Sequence, residues 1–166
     1  MTTLRAAQPQ TKSVPAGRRR TFAALGAVAA GLLVLTACDK PTPIATVTVG
    51  DNSVRSEAAC YNDGNQIQAA DLQKCLKNKD LHSIKVDPDA TVAFGVEPEI
   101  ADSGWTVLLN GQPLTDESNK TYRTIPGSVF FNQQYGATGS HTTVSILEGK
   151  GGKATGLWSF KLEKNS

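Results

Sequence analysis

The chain has 166 residues, a formal net charge of +2, 39% hydrophobic residues and 19% charged ones. That length suits one ordinary domain and is short for two. Its ordinary apolar content, without a long like-charged block, an apolar run of ~18 residues or a fixed repeat, excludes a nucleic-acid tail, a spanning helix, a collagen, a coiled coil and a disordered chain.

The charge is unevenly placed. Residues 1–37 hold Arg5, Lys12, Arg18, Arg19 and Arg20 and no acid, which gives +5. Residues 38–166 hold 12 Lys or Arg against 15 Asp or Glu, which gives −3. A basic polar stretch to Arg20, an apolar stretch from Phe22 to Leu35 and a small-residue site follow one another as in a secretory signal. The apolar stretch is too short to span a bilayer and no second stop signal follows, so a retained anchor helix is not expected.

The segment resembles a bacterial lipoprotein signal, with Leu35-Thr36-Ala37-Cys38 similar to a lipobox. The resemblance implies a diacylglyceryl thioether on Cys38, cleavage before it, and Cys38 as the new N-terminus. Only cysteine offers the nucleophilic sulfur this chemistry needs. Two acyl chains hold firmly where one holds marginally, at ~0.8 kcal/mol per buried methylene. Arg19-Arg20-Thr21-Phe22 resembles the twin-arginine export motif, while any basic signal region would also contain arginines. Both export routes stay open.

Beyond Cys38, Asp39-Lys40-Pro41-Thr42-Pro43 is polar and stiffened by proline. Residues 38–43 read as a lipidated cysteine and a spacer. Residues 44–166 read as one domain whose pattern is mostly of period two. Ala45, Val47 and Val49 alternate with threonines up to the Gly50-Asp51-Asn52 turn, and Val54 to Cys60 is a weaker strand. Ile84 and Val86, then Val92, Phe94 and Val96, flank the Asp87-Pro88-Asp89 turn. Trp105, Val107 and Leu109 lead to Asn110-Gly111, a hairpin signal because a type I′ turn needs positive φ at both central residues. Leu114 and Thr121 to Ile125 are expected to return, followed by strands around Val144 and Ile146 and over Trp158, Phe160 and Leu162.

Six to eight such strands predict a mainly β fold, an antiparallel Ig-like β-sandwich with Trp105, Trp158, Phe94 and Phe160 in its core. One helical island runs from Gln66 to Lys77, with Asn62-Asp63-Gly64-Asn65 as its start. Cys60 and Cys75 flank it. With Cys38 lipidated and the domain exported, these two thiols are expected to form a disulfide. A free thiol pair for redox or metal work would want a close C-x-x-C spacing and a nearby histidine, and has neither.

Motifs that carry chemistry are few. There is no H-E-x-x-H, G-x-S-x-G, Walker loop or dinucleotide fingerprint, so no catalytic residue and no cofactor is expected. His82 and His141 could each ligate a metal, and Glu97, Glu99 and Asp102 form an acidic stretch expected in an end loop. Phe130-Phe131 on a strand would point to opposite faces, leaving Phe131, with Tyr135, as a possible partner-binding aromatic.

Ile84 to Val96 resembles the early strands of cupredoxin-type copper domains. The chain after Cys38 lacks methionine and its two thiols are better used together, so the copper ligand set is incomplete. Ser103-Gly104-Trp105 and Gly149-Lys150-Gly151-Gly152 resemble two loops of chagasin-type cysteine-protease inhibitors; an aromatic third loop has no clear counterpart. Taken whole, the chain resembles a family of small actinobacterial lipoproteins. The residues that carry this are Leu35-Thr36-Ala37-Cys38, Lys40-Pro41-Thr42-Pro43, Ala45 to Gly50, Glu57 to Gly64, Gly95 to Ile100 and Gly104-Trp105.

The expectation is a lipid-anchored extracytoplasmic module. It would be bound to the membrane through Cys38, facing an envelope protein or small ligand and no nucleic acid. An envelope metal-binding or small enzymatic domain, or a chagasin-like inhibitor, is the alternative.

Overall fold

A computed structural model describes residues 41–137 and 139–165. Arg19, Arg20, Phe22, Leu35, Thr36, Ala37 and Cys38 lie outside the described residues. Alternating apolar residues become strands whose inner faces meet. β1 (Ala45–Val49), β2 (Asn52–Ser56), β5 (Thr91–Val96) and β8 (Tyr122–Pro126) form one sheet in the order β2-β1-β5-β8. β3 (Cys60–Tyr61), β10 (Gly156–Lys164), β9 (His141–Glu148), β6 (Trp105–Leu109) and β7 (Gln112–Pro113) run in that order in the second sheet. β4 (His82–Val86) shares the outer edge of β10 with β3. The protein is thus mainly β, the Ig-like sandwich that its alternation predicts.

Phe94, Trp105, Trp158 and Phe160 are fully buried between the sheets, and the Phe94 ring meets Phe130 at 5.8 Å between centroids. Asn110 (φ 48°) and Gly111 (φ 83°) make the tight turn after β6. Along β10 the polar side is covered too. Ser159 is buried, and its Oγ lies 2.8 Å from that of Ser145 on β9, so the two buried hydroxyls satisfy each other.

Several expectations are corrected. β4 pairs with β10 in parallel, so the sheets are not purely antiparallel. The chain can make this pair because it leaves the edge of β10 at Tyr61, runs through α1 (Ala69–Leu76), and re-enters at His82. The stretch from Val54 to Cys60 splits into β2 and β3, which belong to different sheets. The return of the β6 hairpin continues past β7, with Leu114 N donating to Val107 O and Ser118 bridging Trp105, whereas β8 crosses over to pair with β5.

Glu97 to Asp102 is not a loop, since α2 (Pro98–Ser103) runs through it. Proline occupies its first turn, Gly104 ends it with φ 80°, and Ile100 and Ala101 are buried. α1 starts after Gln68 rather than at Asn62–Asn65, which forms a separate turn closed by Asn65 N donating to Asn62 O at 2.8 Å.

Candidate functional site

Loops gather at two ends of the sandwich. The first holds the start of the domain, α2 and the β9–β10 connection; the second holds the turns at Gly50-Asp51, Asp87–Asp89 and Asn110-Gly111, with residues 127–137.

At the first end Thr42 and Pro43, the last residues of the expected spacer, are part of the fold. Pro43 is buried and Thr42 half-buried. Trp158 Nε1 donates to Pro43 O at 2.7 Å, across 115 residues of sequence. Ala58 N donates to Thr42 Oγ1 at 3.1 Å, and Ile44 N donates to Glu97 Oε2 at 3.1 Å. Thr42 and Pro43 are therefore clamped to the sandwich instead of holding it at a distance.

Beside this clamp lies a carboxyl group that sequence reasoning missed. Glu148 ends β9 and is only 1% exposed, and its Oε2 has no hydrogen-bond partner among the described residues. The residues opposite it on the flanking strands are Gly156 and Trp105. A Cβ added to Gly156 would sit 2.6 Å from Glu148 Oε2 and 2.5 Å from the Trp158 ring, so only glycine admits both. Burial pushes the Glu148 carboxyl above its ordinary range. The hydroxyls of Ser103 and Thr155 oppose the push, and the charge of Glu99 adds to it. Tyr61 packs on Trp158 with ring centroids 6.1 Å apart and donates its hydroxyl to Glu99 Oε1 at 3.1 Å. Burial, first, and the Glu99 carboxylate push that phenol up to about 12. The cluster can hold a proton, and its buried carboxyl is out of reach of a substrate. Its signal in the sequence is the alternation Val144, Ile146, Glu148, which puts the carboxylate on the inward face.

The acidic residues part company here. Glu97 immediately precedes α2 and its side chain accepts from Ile44 N, Glu99 accepts from Tyr61, and the Asp102 carbonyl accepts from Lys150 Nζ at 3.1 Å. Ser103-Gly104 and Gly149–Gly152 lie side by side, with Gly149 N donating to Gly104 O at 2.8 Å.

At the opposite end Phe131 and Tyr135 lie on 3₁₀ turns, Gly127–Phe131 and Gln133–Tyr135, not on a strand. Phe130 is fully buried and Phe131 packs half-buried against the core, which corrects the expected splaying of the pair. Tyr135 is 53% exposed. His82 and His141 are both exposed and sit opposite Phe160 and Glu163, on opposite edges of β10. Two strand spacings and three residues of rise separate them by about 14 Å, too far to share a metal ion. The Cys60–Cys75 disulfide joins β3 to α1 as expected.

No family model, no curated protein and no solved structure matches this chain.

Proposed function

We propose that the protein is a lipid-anchored binding module on the extracytoplasmic face of the cell membrane, attached through Cys38 and presenting its sandwich to a partner in the envelope. The observation that carries this reading is the Cys60–Cys75 disulfide, which belongs to an oxidising compartment and agrees with the export signal before it. Leu35-Thr36-Ala37-Cys38 supplies the anchor. Two aromatics are exposed among the described residues, Tyr122 at the clamped end and Tyr135 at the end away from it, and Tyr135 is the one assigned to contact with a partner.

Cys38→Ala tests the anchor. The variant is expected to stay uncleaved or to leave the membrane fraction; a variant still cleaved and still membrane-bound would refute it. Tyr135→Ala tests the contact. It is expected to change stability by less than about 0.5 kcal/mol, as exposed substitutions do, while lowering the yield of crosslinked partner.

One observation favours a second reading, a chagasin-like inhibitor: the Ser103-Gly104 and Gly149–Gly152 loops are neighbours. Inhibition of a papain-type protease by the soluble domain would support it, and its absence would remove it. The binding-module reading is preferred because the aromatic third loop of such inhibitors has no clear counterpart in this chain.

A further inference from the structure

The clamp fixes where a tether from Cys38 enters the domain. Thr42 and Pro43 are bound to Ala58 and Trp158, so four peptide steps separate Cys38 from the fixed point at Thr42. Fully extended, four steps reach about 14 Å. β10 has nine residues and crosses the sandwich from the clamped end to the other, about 30 Å at the usual rise. The tether is half that length. It cannot run the length of the sandwich, so the clamped end cannot be held away from the surface in which Cys38 is anchored while the opposite end faces it.

We propose that the clamped end, with Thr42 and the Gly149–Lys153 loop, rests against the phospholipid surface, and that the end bearing Tyr135 faces away from it. This rests on the lipid anchor at Cys38. Lys150 and Lys153 share the clamped end with Glu97, Asp102 and Glu117, so charges of both signs are mixed there. Proximity is imposed by tether length and not by attraction to anionic headgroups, and the orientation is expected in zwitterionic vesicles.

The test uses the lipid-modified protein in phosphatidylcholine vesicles with a spin label on the headgroup. A fluorophore is placed at Lys153→Cys or, separately, at Gln134→Cys, without reductant so that Cys60–Cys75 stays closed. Quenching at position 153 is expected to exceed that at 134 several-fold. Equal or reversed quenching overturns the orientation. A long Gly/Ser insertion between Lys40 and Pro41 is expected to abolish the difference; a difference that survives it overturns the tether as the cause. Failure of the anchor itself is separately visible, as Cys38 without the mass of a lipid or as protein that does not sediment with vesicles.

Discussion

Trp158 and Glu148 show how one position can serve two purposes. The Trp158 ring fills the core while its Nε1 fastens Pro43, and the same ring forms one wall of the Glu148 pocket. Because burial holds the Glu148 carboxyl above its usual value near 4.5, the folded chain binds that proton more tightly than the unfolded chain. Its stabilising contribution is therefore complete below pH ~4.5 and is lost as pH rises through the folded-state value. Glu148→Gln is expected to remove this part of the pH dependence, so the fall in urea stability from pH 4.5 upward is smaller than in the parent. Glu163, held low chiefly by Lys161, titrates in both proteins and cancels in the comparison. Identical pH profiles would show that the Glu148 carboxyl is not perturbed.

At the scale of elements, α1 is the piece least supported by packing. None of its residues is buried; Leu72, Cys75 and Leu76 are half-covered, and a short helix is marginal alone. The disulfide, which spans 15 residues, ties it to β3. Replacing both Cys60 and Cys75 by Ser is expected to cost ~3 kcal/mol in the chain-entropy account. Hydrogen exchange should accelerate first in Ala69–Leu76 and leave β9 and β10 protected. Uniform acceleration would mean that α1 and the sandwich unfold together. The helix was legible from its apolar spacing. α2 was legible as well, through Pro98 in its first turn and Gly104 after its end, yet the acidic residues around them suggested a loop.

For the whole molecule, the start of the domain matters as much as its core. A soluble form beginning at Ile44 lacks the acceptors for Trp158 Nε1 and Ala58 N, and leaves a buried indole N–H unpaired. Compared with a form beginning at Pro41, it is expected to lose about 1–3 kcal/mol in urea unfolding, the cost of an orphaned buried donor. Equal stabilities would show that the clamp contributes nothing. The clamp also turns a sequence feature around: Pro43, which read as part of a rigid spacer, is anchored to the sandwich.

The β character, the inward residues Phe94, Trp105, Trp158 and Phe160, the turn at Asn110-Gly111 and the pairing of Cys60 with Cys75 all followed from the amino-acid order alone. Each depends on a local rule: period-two alternation, positive φ, or the count of thiols left after Cys38. The uneven charge, +5 before Cys38 and −3 from it onward, likewise belongs to the sequence and supports the proposed export signal. Only the tertiary structure decided that β4 lies parallel to β10, that β8 joins the opposite sheet, that Glu148 is enclosed with Gly156 and Trp158, and that Pro43 is held from position 158. These depend on which distant segments come together, and that is determined by packing two sheets face to face rather than by any local pattern of residues.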